Sequence, residues 1–282
     1  MAVMDPSYQI VADLLAARTG QHLAPNRLWR IPSALAGLFR DRGISNVDQL
    51  VCLLADAKEK QLATDVVEAL LNNETYFFRD RCFFETLANT VLPDLAEKRA
   101  ATRRLSIWSA GCSTGQEALS LAMLLTEQAP RWDGWQIEIL GTDISGKAVK
   151  TAQDARYTQF EIQRGISVAQ MLRFFDETED GWVPDPKIAS MTRFEQRNLL
   201  EPAPQARQFD LILCRNVLLY FEGHVRTRAF DRLGDSLSSD GWLMLGAGET
   251  IMDQTSRFEA AHCGSSLYTR NHEPPEPIRS RA

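Results

Sequence analysis

The chain has 282 residues, of which 44% are hydrophobic and 24% are charged, and it carries a formal net charge of −6 at pH 7. These fractions are close to globular averages, so they exclude an intrinsically disordered chain, a collagen-like repeat and a small disulfide-stapled scaffold. Apolar runs such as Leu105–Ala110 and Val217–Phe221 fall far short of the roughly 18 residues that cross a bilayer, and the acidic balance disfavours a dedicated nucleic-acid binder.

Five cysteines and four histidines are scattered along the chain, without a CxxC pair or an HxxxH spacing. An odd number of widely spaced cysteines is typical of thiols in a reducing compartment, and the histidine spacing predicts no metal site. The N-terminus carries Asp5 before any basic residue and lacks the small-residue cleavage site of a secretory signal. We therefore expect a cytoplasmic protein.

The first segment, residues 1–71, has apolar residues at helical spacing, as in Ile10–Leu15 and Leu50–Leu54, and this predicts an all-α N-terminal domain. Five arginines and one acid give part of this segment a local net charge of +4: Arg18, Arg27, Arg30, Arg40 and Arg42 against Asp41. Two readings stay open, a patch that steers an acidic partner helix toward an active site and an ordinary solvated helix face.

After Arg104 the pattern changes to short apolar strands that alternate with helical stretches, which predicts an α/β fold with a doubly wound, Rossmann-like parallel sheet over residues 72–271. The strand candidates are LSIWSA, IEILGTD, FDLILCRN and WLMLGAG. Between about residues 157 and 197 the alternation is interrupted, and we interpret this stretch as an insertion or lid. The proline-rich, polar residues 272–282 predict a disordered tail.

The first strand candidate runs into GCSTGQE and then a helix, so Gly111 and Gly115 flank a turn where the backbone can approach a ligand closely. The spacing matches neither GxGxxG nor a P-loop, and a turn without any ligand stays a possible reading. Asp143 ends the second strand 32 residues after Gly111, at the same predicted sheet edge. An acid there can accept hydrogen bonds from ribose hydroxyls, so a nucleoside without phosphates fits best.

S-adenosylmethionine is such a nucleoside, and its sulfonium cation suits a site with several carboxylates. Glu117, just inside the first helix of the sheet domain, supplies a second acid. The alternative for Glu117 is an ordinary first-turn acid that stabilises the helix dipole.

Six motifs follow one another along the chain: NETYFFRD, WSAGCSTGQEALSLAM, LGTDIS, RNLL, FDLILCRNVLLYF and LGAGE. In this order and spacing they resemble the CheR family of chemotaxis receptor methyltransferases, from the N-terminal helices to about Arg270. The resemblance implies a class I methyltransferase domain that uses S-adenosyl-L-methionine and releases S-adenosyl-L-homocysteine. It also implies methyl transfer to glutamates on the cytoplasmic helices of chemoreceptors, giving glutamyl methyl esters.

Carried over motif by motif, the resemblance implies these cofactor contacts: Asn73, Thr75, Arg79, Glu117, Asp143, Asn198, Leu199, Arg215 and Asn216. We also expect Gly111 to contact the cofactor, because it lies in the glycine-rich turn. The resemblance also places Arg79 and Tyr220 nearest the reacting centre, as the expected catalytic residues, although Tyr220 has the alternative of simple aromatic packing. Many relatives have two acids where this chain reads Gln116–Glu117, so only Glu117 takes the cofactor role.

The leading hypothesis is therefore a protein-glutamate methyltransferase that acts on methyl-accepting chemotaxis receptors as a monomer, without nucleic acid and without membrane insertion. The alternative from another class is a catalytically silent module that binds S-adenosylmethionine for signalling. A methyltransferase for small molecules or nucleic acid is a third possibility, disfavoured because the chain has no NPPY-like motif.

Overall fold

A computed structural model describes residues 6–56, 59–204, 208–261 and 266–271, so the predicted tail, residues 272–282, lies outside the described residues. The chain forms two compact units. One contains the residues up to Asn73 together with Tyr220–Val225, and the other contains Glu74–Leu219 and the residues from Arg226 onward. Among the described residues, no helix combines the length and the apolar content that a bilayer crossing requires.

The described residues of the first unit form the helices α1 (Pro6–Thr19), α2 (Arg30–Arg42), α3 (Val47–Leu54) and α4 (Lys60–Leu70). A short 3₁₀ turn, Pro25–Arg27, precedes α2. Local chemistry fixes the helix ends: Gly43 adopts a left-handed φ of 66° after α2, and the Asn46 side chain accepts a hydrogen bond from the Gln49 amide at the start of α3. The all-α character predicted for this region is confirmed.

The core of the helical unit consists of apolar side chains from all four helices. They include Val11, Ile31, Leu35, Leu50, Leu62 and Val66. Burial of these side chains is the main stabilising contribution available to helices of 8 to 14 residues, which are marginal in isolation.

The second unit begins with α5 (Arg81–Thr86) and α6 (Leu92–Lys98), joined by a π-helical turn, Leu87–Val91. The other helices among the described residues are α7 (Gln116–Glu127), α8 (Ala129–Trp132), α9 (Gly146–Asp154), α10 (Gln159–Gln163), α11 (Val168–Phe174), α12 (Pro186–Ala189) and α13 (Gly223–Ser236). The strands are β1 (Arg104–Ala110), β2 (Gln136–Asp143), β3 (Phe175–Thr178), β4 (Gly181–Pro184), β5 (Thr192–Gln196), β6 (Phe209–Cys214), β7 (Leu237–Leu245), β8 (Phe258–Ala260) and β9 (Leu267–Arg270).

Seven strands form the main sheet in the order β5-β2-β1-β6-β7-β9-β8. The first five are mutually parallel, whereas β9 runs antiparallel to both β7 and β8. Every residue of β6 is buried, as expected for a parallel strand covered on both faces. The order of the sheet confirms the predicted doubly wound α/β fold.

The stretch between residues 157 and 197 is only partly an insertion. Its middle holds α10, α11 and an antiparallel hairpin of β3 and β4. Its end is β5, which pairs in parallel with β2 as the edge strand of the main sheet. The predicted insertion therefore extended too far, because the sequence of β5 does not show that this strand joins the main sheet.

Candidate functional site

The parallel strands place their carboxyl ends along one edge of the sheet, and the predicted site residues of the sheet unit follow these ends. Gly111 follows β1, Asp143 ends β2, Asn198 comes two residues after β5, and Arg215 and Asn216 follow β6. In open α/β sheets this is the edge where ligands bind.

The turn between β1 and α7 is held by backbone contacts to β2. The Gly111 amide donates to the Thr142 carbonyl at 2.7 Å, and Gly111 has a φ of +82°. A Cβ atom at Gly111 would lie 2.3 Å from Val217 Cγ2, so only glycine allows this close approach. Gly115 caps α7 with a φ of +94°. The predicted glycine-rich turn is therefore present, and its amide groups lead into the helix N-terminus.

Asp143 lies at the end of β2 and is 9% exposed. Its Oδ2 accepts a hydrogen bond from the Ser113 amide at 2.8 Å, and its Oδ1 accepts one from the Ser145 amide at 2.9 Å. These two amides come from the turns that follow β1 and β2. They fix the orientation of the carboxylate at the sheet edge.

Glu117 and Asp80 bind the same buried guanidinium. The side chain of Arg215 is 1% exposed, and it donates to Glu117 Oε2 at 3.0 Å and to Asp80 Oδ2 at 2.9 Å. The other oxygen of Glu117 accepts from the Ser109 hydroxyl at 2.7 Å. Glu117 is therefore more than a first-turn acid, since it joins α7 to β1 and to the loop after β6.

The Arg215 guanidinium also connects the site to the segment that precedes α5. It donates to the Arg79 carbonyl at 2.8 Å and lies 4.6 Å from the centre of the Phe83 ring. Its Nε atom is buried without a hydrogen-bond partner among the described residues. Sequence reasoning expected Arg215 to contact the cofactor; in the structure its terminal nitrogens bind protein groups.

The NETYFFRD motif has an unusual backbone at its end, where Phe78 and Asp80 have φ values of +50° and +59°. The Phe78 amide donates to the Ser120 hydroxyl of α7 at 2.9 Å, which fixes the motif beside the first helix of the sheet. Thr75 and Arg79 are both half-buried. The Arg79 guanidinium donates to the Glu74 carbonyl at 2.8 Å, within its own motif.

The RNLL motif follows β5. The Arg197 amide donates to the Asp143 carbonyl at 2.9 Å, so this loop adjoins the end of β2. Asn198 uses its side-chain oxygen to accept from the Leu200 amide at 2.9 Å, which closes a local turn, and Leu199 is half-buried.

Glu249, to which sequence reasoning gave no role, binds the loop after β6. Its carboxylate is 8% exposed and accepts hydrogen bonds from backbone amides of the loop after β6, beginning with Asn216 at 2.8 Å. The only signal in the sequence was the LGAGE motif, to which no role was given.

Two predicted residues, Asn73 and Tyr220, belong to the helical unit. Within that unit, the Tyr220 hydroxyl accepts a hydrogen bond from Asn72 Nδ2 at 2.6 Å, and the Tyr220 carbonyl accepts one from the His22 amide at 2.7 Å. Tyr220 is half-buried, and its hydroxyl has a polar partner within the helical unit.

Two buried cysteines lie beside the sheet edge. Burial raises the pKa of the Cys112 thiol well above its ordinary value, and the nearby Asp143 and Glu117 carboxylates raise it further. Burial, followed by the charges of Glu249 and Glu117, raises the pKa of Cys214 in the same way. Both thiols are therefore protonated at neutral pH and are poor nucleophiles, which disfavours covalent cysteine catalysis.

The charges at the sheet edge fit a cationic nucleoside. The carboxylates of Asp80, Glu117 and Asp143 outnumber the guanidiniums of Arg79 and Arg215, so the local balance is negative. Asp143 stands at the position where an α/β sheet binds ribose. These carboxylates suit S-adenosylmethionine, which combines a ribose with a sulfonium cation.

Comparison with known proteins supports the same assignment. The family model described as "CheR methyltransferase, SAM binding domain" matches residues 73–266. The chain is 32% identical over 274 residues to Chemotaxis protein methyltransferase 1 of Pseudomonas aeruginosa, covering 96% of this chain and 99% of that protein. It is 28% identical to the Chemotaxis protein methyltransferase of Vibrio parahaemolyticus, covering 95% and 97% of the two chains. The chain belongs to the CheR methyltransferase family, and S-adenosylmethionine is its cofactor.

Proposed function

We propose that this protein transfers a methyl group from S-adenosylmethionine to glutamate side chains on the cytoplasmic helices of chemoreceptors, forming glutamyl methyl esters. The observation that carries the proposal is the near full-length similarity to proteins named chemotaxis protein methyltransferases, which extends through both units of the chain. The proposal also places the protein in the cytoplasm as a monomer.

The reaction depends more on the positioning of the acceptor carboxylate and the methyl group than on acid–base catalysis. A glutamate carboxylate has an unperturbed pKa near 4.3, so at neutral pH it is already a nucleophile and needs no general base. The bound cofactor supplies an electrophilic methyl carbon on a positively charged sulfur. The protein must hold the acceptor oxygen about 3 Å from that carbon and exclude water, an effect of several kcal/mol.

We propose that Asp143 binds the ribose hydroxyls, because its carboxylate is pre-oriented by the Ser113 and Ser145 amides. The negative balance around Glu117 is proposed to favour the cationic end of the cofactor. The remaining proposed cofactor contacts are Asn73, Thr75, Arg79, Gly111, Asn198, Leu199, Arg215 and Asn216. Of these, Arg215 is proposed to act mainly by holding Glu117 and the Arg79 carbonyl.

Arg79 and Tyr220 are the proposed groups at the reacting centre. An arginine can orient the acceptor carboxylate, but a strong ion pair would also lower the nucleophilicity of that carboxylate. We therefore propose that Arg79 positions the substrate or the cofactor and takes no direct part in the chemical step. The Tyr220 hydroxyl already accepts a bond from Asn72, which leaves its own proton available for donation to the acceptor carboxylate.

The helical unit is the proposed contact for the receptor. Arg18, Arg27 and Arg40 have exposed side chains that can attract an acidic helix. Arg40 lies 4.0 Å from its neighbour Asp41, but both side chains are highly exposed, whereas the Arg42 side chain is only 34% exposed and pairs with Asp65 and Glu59 of its own unit. We therefore exclude Arg42 from the steering charges that the sequence had suggested.

The proposal is tested by incubating the full chain with methyl-labelled S-adenosylmethionine and a helical cytoplasmic receptor fragment. We expect label on glutamate that mild base releases, because an ester hydrolyses in base whereas a methylated amine or thioether does not. The matched control is the same fragment with its acceptor glutamates replaced by alanine. Cofactor binding without transfer would overturn the proposal and favour the silent signalling module, and label on another class of substrate would also overturn it.

A further inference from the structure

The carboxylate of Glu249 accepts hydrogen bonds from five backbone amides. Its Oε1 accepts from Val217 at 2.9 Å, Leu218 at 2.7 Å and Leu219 at 3.3 Å. Its Oε2 accepts from Asn216 at 2.8 Å and from Gly246 at 2.7 Å. One buried side chain thereby satisfies four consecutive amides of the loop after β6.

These amides need an acceptor because of the local backbone. Asn216 has a left-handed φ of +61°, and the chain then enters a 3₁₀ turn, Leu218–Tyr220. The first amides of a helical turn have no partner within the turn, and successive amides beside a left-handed residue point toward one anion. An ionised carboxylate is acceptor-only, so it can serve all of them without placing a donor against a donor.

Gly246 lies close to both the Glu249 carboxylate and the loop after β6, which limits the space for a side chain at position 246. A Cβ atom on Gly246 would lie 2.7 Å from Glu249 Oε2 and 2.9 Å from the Asn216 nitrogen. Only a glycine at this position lets the carboxylate reach the loop. The LGAGE motif thus supplies both the anion and the space in which it binds.

We propose that Glu249 is a positioning residue for methyl transfer, which fixes the segment from Asn216, a proposed cofactor contact, to the turn that ends at Tyr220. The inference rests on the proposed function, since it gives Glu249 the task of presenting these two residues. It goes beyond that function in naming the group that sets their backbone conformation. Glu249 itself does not touch substrate or cofactor in this account.

The test compares Glu249→Gln with the matched control Glu259→Gln, whose carboxylate is exposed on β8. The glutamine turns a donor toward the loop amides, so we expect amide hydrogen exchange at residues 216–219 to accelerate about 10- to 100-fold. We expect turnover at saturating cofactor to fall about 10-fold or more, with a smaller loss of cofactor affinity. Glu249→Asp, which keeps the charge, should recover part of the turnover, and Glu259→Gln should behave as wild type.

Gly246→Ala provides a second variant that keeps the charge of Glu249 but displaces its carboxylate, and it should show the same loss of turnover and of amide protection. A merely structural role predicts a lower melting temperature with unchanged turnover per folded molecule, and that result would overturn the inference. Unchanged amide protection in Glu249→Gln would also overturn it. If the wild type transfers no methyl group to glutamate, the proposed function fails instead, while the exchange measurement still reports on Glu249.

Discussion

Each end of strand β6 carries a cluster in which one arginine binds two carboxylates, but the two clusters connect different parts of the fold. At the start of the strand, Asp210 binds Arg99 at 2.7 Å, and Arg99 also binds Asp240 at 2.6 Å. Just after the strand ends, Arg215 binds one glutamate and one aspartate in the same manner.

The difference between the clusters lies in what they connect. The Arg99 cluster lies at the amino edge of the sheet and joins the loop after α6 to β6 and β7. The Arg215 cluster lies at the carboxyl edge and joins α7, β6 and the NETYFFRD motif, which carry proposed cofactor contacts. The comparison suggests that similar ion clusters stabilise the fold at one edge and organise the site at the other.

The largest expected effect is that of Arg215→Met. Removing the guanidinium leaves Glu117 largely buried without its cationic partner, which costs about 3–5 kcal/mol of unfolding free energy. Cofactor affinity should fall at least about 10-fold, the equivalent of one lost charge-assisted hydrogen bond, because Glu117 and the Arg79 carbonyl lose their common donor. Urea denaturation and titration calorimetry measure the two effects, and unchanged affinity in the folded variant would remove Arg215 from the site.

Arg99→Met is the matched variant at the opposite edge. It leaves Asp210, which is 4% exposed, without its cationic partner, so unfolding free energy should fall by about 3 kcal/mol. Cofactor affinity, measured by calorimetry at a temperature where the variant is folded, should stay within about twofold of wild type, because Arg99 binds Asp210, Ser238 and Asp240, none of which is a proposed cofactor contact. A large loss of affinity here would contradict the division of roles between the two clusters.

Asp143→Ala should weaken cofactor binding by about 1–3 kcal/mol, because hydrogen bonds to a charged acceptor are lost. Titration calorimetry with S-adenosylhomocysteine measures this directly, with the exposed Asp154→Ala as the control. Wild-type affinity in the Asp143 variant would exclude this carboxylate from the ribose site.

Tyr220→Phe should lower turnover by about 10-fold while leaving cofactor affinity nearly unchanged, because it removes a hydrogen bond to the charged acceptor carboxylate, of about 1.5 kcal/mol. Steady-state kinetics and calorimetry separate the two quantities. Tyr8→Phe, in the same helical unit, is the control. Equal turnover in the Tyr220 variant would assign this tyrosine to packing.

The smallest effect is the pH dependence of the amino-edge cluster. The hydrogen bond from Arg99 lowers the pKa of Asp240 from 3.8 to about 2. Because the folded-state pKa is lower, this stabilisation is present above pH 4 and is lost as the pH falls toward 2. Asp240 is 44% exposed, so solvent screening limits the effect to less than about 1 kcal/mol. The unfolding free energy of Asp240→Asn should therefore depend less steeply on pH below pH 4 than that of the wild type. An identical pH dependence in the two proteins would contradict this prediction.

The sequence predicted the sheet and the turn after β1 because both depend on local patterns. Buried parallel strands appear as apolar runs. The glycine-rich turn that begins at Gly111 and the acid at the end of the next strand, Asp143, lie within 33 residues of each other in the sequence. The strand β8 escaped prediction because it is short and buries a single phenylalanine. The residues of β5 have a strand-like sequence, but no local pattern shows that this strand joins the main sheet.

The rest of the site depends on contacts between distant parts of the chain. Arg215 reaches Asp80 across 135 residues, and Glu249 reaches Leu218 across 31 residues. No periodicity or spacing rule connects such pairs. The sequence alone could therefore name Arg215 from a family motif but could not reveal that its guanidinium binds two protein carboxylates.

The central claim is that S-adenosylmethionine binds at the carboxyl edge of the sheet with its ribose on Asp143. A crystal structure of the full chain with S-adenosylhomocysteine tests it most directly. The account predicts both ribose hydroxyls within about 2.6–3.2 Å of the Asp143 carboxylate oxygens. A ligand bound elsewhere, or a ribose that points away from Asp143, would contradict it.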